Sequence, residues 1–372
     1  MGNINITETF PKGRLLSLDA LRGLDMLFLV GIAKIFQVLP KWSDNSVFNY
    51  LANQCHHTEW AGFHAYDLIF PLFIFMVGVS MPFAMSRRLQ EGSAARKKLF
   101  IHIIRRSLIL FMLGMIVSGF LGFDFSNIKY TGVLQRIAIA YFFSAVIVMN
   151  TNIKKQAVIA GSLLVLYWLL MMFIPVPGYG PGIITPEGNL HTYIDQLLLP
   201  GRMGNVFYDE DGILQQMSSI AVCLTGVLAG HWLRTSNQSD KKVLGLLLGG
   251  LASIIIALLW NFSFPIIFRL WSSSYAMLTI GISSILLGTF YWIIDVKGYK
   301  KWAFPFVVVG LNSITIYVVS ALFNFGVIVN VFVYGFVDDL GSFKPVFMAL
   351  CILIVKWLFL YFLYKQKIFL KV

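Results

Sequence analysis

Apolar residues fall in long blocks along the whole chain, separated by short breaks rich in glycine, proline or charge. Each block is about the 20 residues a bilayer crossing needs. The pattern predicts helices near 18–39, 66–85, 101–121, 131–149, 157–174, 212–232, 243–260, 274–294, 304–322 and 346–364. Ten crossings give an all-α, polytopic integral membrane helix bundle with both termini on one side. An eleventh is left open, because FNFGVIVNVFVYGFVDDLGSF at 323–343 is apolar yet glycine-broken and reads either as a crossing or as a re-entrant piece. Two connections, about 40–65 and 175–211, exceed what joining helices requires, and loops of that length usually carry function. No internal repeat is visible, which weighs against a transporter built from duplicated halves.

Composition agrees with the pattern. With 58% hydrophobic and 12% charged residues, the chain has too little polar surface to cover a water-soluble globule, so a single transmembrane domain over 1–372 is expected, within which 1–17 is a cytosolic N-terminal segment. The opening sequence has no short apolar core ahead of a small-residue cleavage site, so no removable signal peptide is expected. Cys55, Cys223 and Cys351 have neither disulfide-frame nor zinc spacing, and no metal is expected.

The formal charge of +12 changes meaning once it is distributed. With the N-terminus cytosolic, 21 of the 29 Lys and Arg residues fall on inner segments, five on outer ones (Lys41, Lys129, Arg202, Arg269, Lys344) and three (Lys34, Arg136, Lys356) inside helices. That asymmetry sets orientation by the positive-inside rule. The basic balance is therefore topological, and nucleic acid is not an expected partner.

Ionisable residues inside apolar spans cost roughly 2.5–3.5 kcal/mol each, so each needs a partner, a cavity or a function. If 57–67 is helical, His57, Trp60, His64 and Asp67 share one face at spacings of three and four. Two imidazoles and a carboxylate at the mouth of an oily helix suit a general base with its orienting acid, or an interfacial belt with a structural carboxylate. Asp19 and Arg22 can pair, with Asp25 a turn deeper. Arg136 is buried early in its span and needs a carboxylate, for instance Asp67. Asn312-Ser313 offers interhelical hydrogen bonds or a cavity lining, while Lys34 and Lys356 are placed to snorkel. On the inner face Arg87, Arg88, Arg105 and Arg106 satisfy topology and would equally hold a phosphorylated ligand. No glycine-rich phosphate loop is present.

These motifs together resemble the heparan-α-glucosaminide N-acetyltransferase family of transmembrane acyltransferases. The resemblance rests on RLLSLDALRG at 14–23, HTEWAGFHAYDLIFPLFIFMVG at 57–78, TGVLQRIAIAYF at 131–142, IPVPGYGPG at 174–182, YIDQLLLP at 193–200, YDEDGILQQMSSI at 208–220, LWSSSY at 270–275 and GLNSITIYV at 310–318. It is to a short, bacterial-type form without the large lumenal domain, set in the cytoplasmic (inner) membrane. The resemblance implies His57 as the catalytic residue, by its place ahead of the W-x-G and D-L-x-F-P elements; by spacing, Asp67 or His64 is the candidate to orient it. It implies acetyl-CoA as co-substrate; the residues themselves offer Arg22, Arg87, Arg88, Arg105, Arg106, Arg136, Asn312 and Ser313 as candidate contacts for it. An amino-sugar or glycan acceptor on the outer side would meet Trp60, Tyr208, Asp209 and Trp271. It also points towards a homodimer surrounded by membrane lipids. Two other functions meet the same composition: a sugar or peptidoglycan-fragment transporter, and an O-acyltransferase acting on a glycan or lipid-linked sugar.

Overall fold

The computed structural model describes residues 15–124, 127–205 and 207–369. Lys12, Arg14 and Lys371 of the inner-face count, and most of the 1–17 segment, lie outside them. Helices account for all the regular structure among the described residues: α1 Leu16–Trp42, α2 Ser46–Gln54, α3 Ala65–Gln90, α4 Ser93–Val117, α5 Val133–Asn150, α6 Ile153–Phe173, α7 Leu190–Leu198, α8 Gln216–Leu233, α9 Ser239–Trp260, α10 Ser273–Val296, α11 Lys301–Gly310, α12 Ser313–Leu322, α13 Phe325–Val333 and α14 Val337–Lys365. Nine of these are long and apolar enough to cross a membrane, and the α11–α12 pair, bent by 58°, makes a tenth if it acts as one broken span. The chain is thus an all-helical, multi-pass membrane protein.

Three predicted boundaries move. α4 begins at Ser93 rather than near 101, because its charged first turns are still one-sided: Leu99, Ile103, Ser107 and Leu110 are buried at spacings of four and three while Arg96 to Lys98 face outwards. Arg105 and Arg106 therefore lie inside a span, not in a loop. The ninth predicted helix is broken at Leu311-Asn312, where the Asn312 amide instead donates to the Ile368 carbonyl (3.0 Å). The 323–343 segment gives α13, whose nine residues reach only about 14 Å, far short of a hydrocarbon core of about 30 Å.

The chain divides into two compact units. One comprises Met1–Ala52, Asn237–Leu248 and Ser284–Lys371; the other Asn53–Ser236 and Gly249–Ser283. In the first, α1 and α11 cross where Gly23 faces Gly310, so closely that a Cβ on Gly23 would sit 1.7 Å from the Phe306 carbonyl oxygen. In the second, α3 and α8 cross in the same way at Gly78 and Gly226, where a Cβ on Gly78 would sit 1.9 Å from the Cys223 carbonyl oxygen. Small residues let backbones approach where lipid supplies no hydrophobic drive between helices. In this second unit the long connections are anchored on a core of Tyr167, Met171, Val176, Leu190, Phe264, Ile267 and Leu270.

Candidate active site

The helical stripe allowed by the spacing over 57–67 does not form. Residues 57–64 are irregular because they pair with another connection instead: Ala61 bridges to Ile267, and the Gly62 N–H donates to the Ile266 carbonyl at 2.9 Å. Only Ala65–Leu68 is helical, as a 3₁₀ turn opening α3. Folding the loop back still brings the two ends of the stripe together, with His57 Nδ1 2.6 Å from Asp67 Oδ1.

Asp67 is completely buried. Its Oδ2 accepts the His64 backbone N–H at 2.9 Å and the Thr58 hydroxyl at 3.5 Å, and its own carbonyl accepts the Tyr275 hydroxyl at 2.5 Å. The carboxylate side chain is left facing the His57 ring. A carboxylate at Nδ1 selects the tautomer with the proton on Nδ1, which leaves the lone pair on Nε2. The ring itself is clamped, stacked on Phe268 at 4.1 Å and 6° and met edge-on by Tyr66 at 4.7 Å. It keeps 32% of its side-chain surface, so an oriented basic nitrogen stays accessible.

Phe268 is held by a lattice of hydroxyls from the LWSSSY stretch. Ser272 Oγ accepts from Ile267 N–H (3.1 Å), Ser274 donates to the Phe264 carbonyl (2.5 Å) and Ser273 to that of Leu164 (2.7 Å). Tyr167 donates to the Leu270 carbonyl at 2.6 Å. Nothing in the sequence pattern singles out Phe268; Tyr275 and Thr58 sit inside the motifs without being distinguishable as supports.

Behind this dyad lies a second buried group. Arg136, wholly buried in the first turn of α5, donates through Nη2 to the Glu210 carbonyl and Gln215 Oε1, both at 2.5 Å, and its Nε is 3.3 Å from Asp211 Oδ1. Its expected pairing with Asp67 gives way to Asp211, because Asp67 is already saturated by His57, His64 and Thr58. The guanidinium lies over Trp271 at 4.5 Å and Phe70 at 5.4 Å. Its Nη1 and the Trp271 indole N–H are buried with no hydrogen-bond partner among the described residues.

His191 Nε2 lies 3.0 Å from the Asp209 carbonyl and 3.2 Å from Asp195 Oδ2. Burial pushes the His191 imidazole down to about 4 and the Asp195 carboxyl up to about 7.

The remaining sequence candidates separate. Trp60 donates to the Ile184 carbonyl at 2.9 Å and packs against Tyr208 at 5.4 Å, in the same connection as His57. Tyr208 and Asp209 are buried, and Asp209 is committed to its own loop through the Gly204 and Asp211 N–H groups (2.9 and 2.8 Å). The His64 ring turns to the His56 carbonyl at 2.9 Å, away from the His57 ring nitrogens, and reaches Asp67 only through its backbone. Arg22, beside Asp19 at 3.6 Å, Asn312 and Ser313 belong to the other unit.

Comparison with known proteins gives this arrangement a context. A family model described as a domain of unknown function, DUF5009, matches residues 14–167. Heparan-alpha-glucosaminide N-acetyltransferase of Mus musculus is 28% identical over 97% of this chain, and that of Homo sapiens 28% identical over 96%. The chain is a homologue of the heparan-alpha-glucosaminide N-acetyltransferases. It spans 62% and 60% of the length of those two relatives.

Arg87 and Arg88 are exposed near the far end of α3, 20 residues beyond Asp67, which is about 30 Å along a helix and the thickness of the hydrocarbon core. Arg106 lies partway between, over the Tyr141 ring at 4.4 Å, with its Nε buried and unpartnered among the described residues. Exposed cations thus stand at one end, an arginine with a donor unpartnered among the described residues midway, and an accessible imidazole at the other end.

Proposed function

We propose that the chain is a transmembrane N-acetyltransferase that moves an acetyl group from acetyl-CoA on the cytosolic side of an inner membrane to the amine of a glucosamine-type sugar on the outer side. The observation that carries this reading is the clamped His57 with Asp67 at Nδ1, within a chain homologous to named acetyltransferases along almost its whole length. CoA carries several negative charges and cannot cross hydrocarbon, and the sugar is equally excluded, so donor and acceptor must meet within the protein.

His57 acts at Nε2. As the acceptor nitrogen bonds to the thioester carbonyl carbon, Nε2 takes the proton from that nitrogen; the C–S bond breaks, and the proton passes to the leaving sulfur. Asp67 fixes the tautomer and stabilises the imidazolium. In the covalent form of the same route, Nε2 bonds to the thioester carbonyl carbon as the C–S bond breaks and CoA thiolate leaves; the acceptor nitrogen then takes the acetyl group as the Nε2–C bond breaks, and its proton passes to the thiolate. Arg87, Arg88, Arg105 and Arg106 meet the phosphates and draw the thioester inwards.

The test is release of CoA by purified protein against a panel of amino sugars, with mass spectrometry separating amide from ester products. His57→Ala should lose about 10²–10⁴-fold in rate while remaining monodisperse in detergent, and Asp67→Asn should slow turnover with little change in KM. Full activity in His57→Ala would sink the proposal, and an ester product would make the acceptor a hydroxyl.

A further inference from the structure

The unit that does not contain His57 has a cavity of about 420 Å³ between α1, the α12–α13 corner and α14. Four polar side chains line it, Lys34, Lys356, Ser320 and Asn324, and the Asn324 Oδ1 is already engaged by the Gly326 N–H at 2.9 Å. Lys356 is held, its Nζ donating to the Val30 carbonyl at 2.7 Å and lying 5.6 Å from the Phe325 ring centre. That carbonyl belongs to the π-helical turn Phe28–Ile32, where the helix is locally widened. Ser320 Oγ is buried and has no hydrogen-bond partner among the described residues. No Asp or Glu stands among the lining residues, so two ammonium groups and a free hydroxyl converge on a space with no counter-charge.

Depth decides what can fill it. The 27 residues of α1 make about 40 Å, some 5 Å more than the hydrocarbon core at each end. Lys34 is eight residues short of Trp42, hence about 12 Å below the helix end and roughly 7 Å inside the hydrocarbon boundary. Its side chain spans about that gap when it snorkels. The Trp42 ring meets Phe343 at 5.2 Å, so the start of α14 lies at the same end, and Lys356 forms the deeper wall twelve residues on from Lys344. Leu322 and Phe323, exposed beside the cavity, continue it along an apolar surface.

We propose that this cavity binds the acidic head of a membrane amphiphile, carboxylate or phosphate, with Lys34 as its main cation, Lys356 behind it, Ser320 donating a hydrogen bond and the acyl chain lying over Leu322 and Phe323. The ligand supplies the anion that two lysines at this depth lack. The site is separate from the His57 chemistry and does not depend on it.

Native mass spectrometry of the full chain in detergent tests this with three probes: oleate, dioleoyl phosphatidylglycerol and dioleoyl phosphatidylcholine. The wild-type chain should retain one acidic lipid in preference to the zwitterionic one. Lys34→Gln should weaken that retention about tenfold and Ser320→Ala by less, with unchanged unfolding temperatures, because Lys34 is exposed and carries no packing. Retention of oleate alone identifies a carboxylate site, and of phosphatidylglycerol alone a phosphate site. Equal retention of all three, retention of none, or unchanged retention in Lys34→Gln would overturn the proposal.

Discussion

His191 and Asp195 sit one helical turn apart in α7, both fully buried, and burial drives both towards their neutral forms. Unfolded, the carboxyl has its ordinary value of 3.8 and the imidazole 6.5; folded, they stand at about 7 and about 4. Between about pH 4 and 6.5 the folded pair holds its proton on Asp195, and the unfolded pair holds one on His191. The proton counts match, so the pair contributes almost no slope of stability with pH in that window. Removing one member exposes the other. In Asp195→Asn only the histidine remains; the unfolded chain takes its proton below 6.5 and the folded chain does not until about 4, so stability is lost as pH falls through that range. In His191→Gln only the carboxyl remains, and stability is lost as pH rises from 3.8 to about 7. Each tilt should approach ~1.4 kcal/mol per pH unit. Thermal unfolding in detergent from pH 4 to 7 checks this, and tilts of the same sign in the two variants would contradict it.

Helices were legible wherever an apolar run was long, because crossing the hydrocarbon demands about 20 apolar positions whether a face meets lipid or protein. What the hydropathy pattern concealed were places where another interaction wins. Arg96-Lys97-Lys98 look like loop, yet the turn they occupy buries Leu99 and Ile103, so α4 starts early. Asn312 interrupts an apolar run by bonding outside its own helix, to the Ile368 carbonyl. At the candidate site, His57 and Asp67 stood out by residue type, while the means of joining them did not: a loop clamped by Ile266 and Phe268, some two hundred positions away in sequence. The glycine contacts make a sharper case. Gly226 and Gly249 both lie within apolar helices, but a Cβ on Gly226 would sit 2.1 Å from the Phe75 carbonyl oxygen, whereas one on Gly249 meets nothing within 4 Å. Gly226→Leu should therefore separate α3 from α8 and cost about 3 kcal/mol or more, or prevent recovery of folded protein. Gly249→Leu should be neutral or stabilising by up to about 1 kcal/mol through helix propensity. Equal unfolding temperatures for the two variants would show that the α3–α8 crossing is looser than this packing requires.

Across the whole molecule, the proposed chemistry depends on a polarity that charge can set. α3 is a single crossing that carries the His57 connection at one end and Arg87, Arg88 and the Arg96–Lys98 cluster beyond the other. Basic residues are retained on the cytosolic side during insertion, so the arginine end should face the cytosol and the imidazole the opposite compartment. The two ends are then about 30 Å of hydrocarbon apart. In a chain with Cys55, Cys223 and Cys351 replaced by alanine, Glu59→Cys and Glu91→Cys report each end separately, since both positions are exposed. A membrane-impermeant maleimide applied to intact cells with a permeabilised outer envelope should label Glu59→Cys directly and Glu91→Cys only after the inner membrane is opened. Labelling of both from outside would mean that α3 does not cross. The reverse pattern would put the arginines away from the cytosol, and an acyl donor made there would then meet the imidazole end first, without the cation cluster that the transfer mechanism assigns to its phosphates.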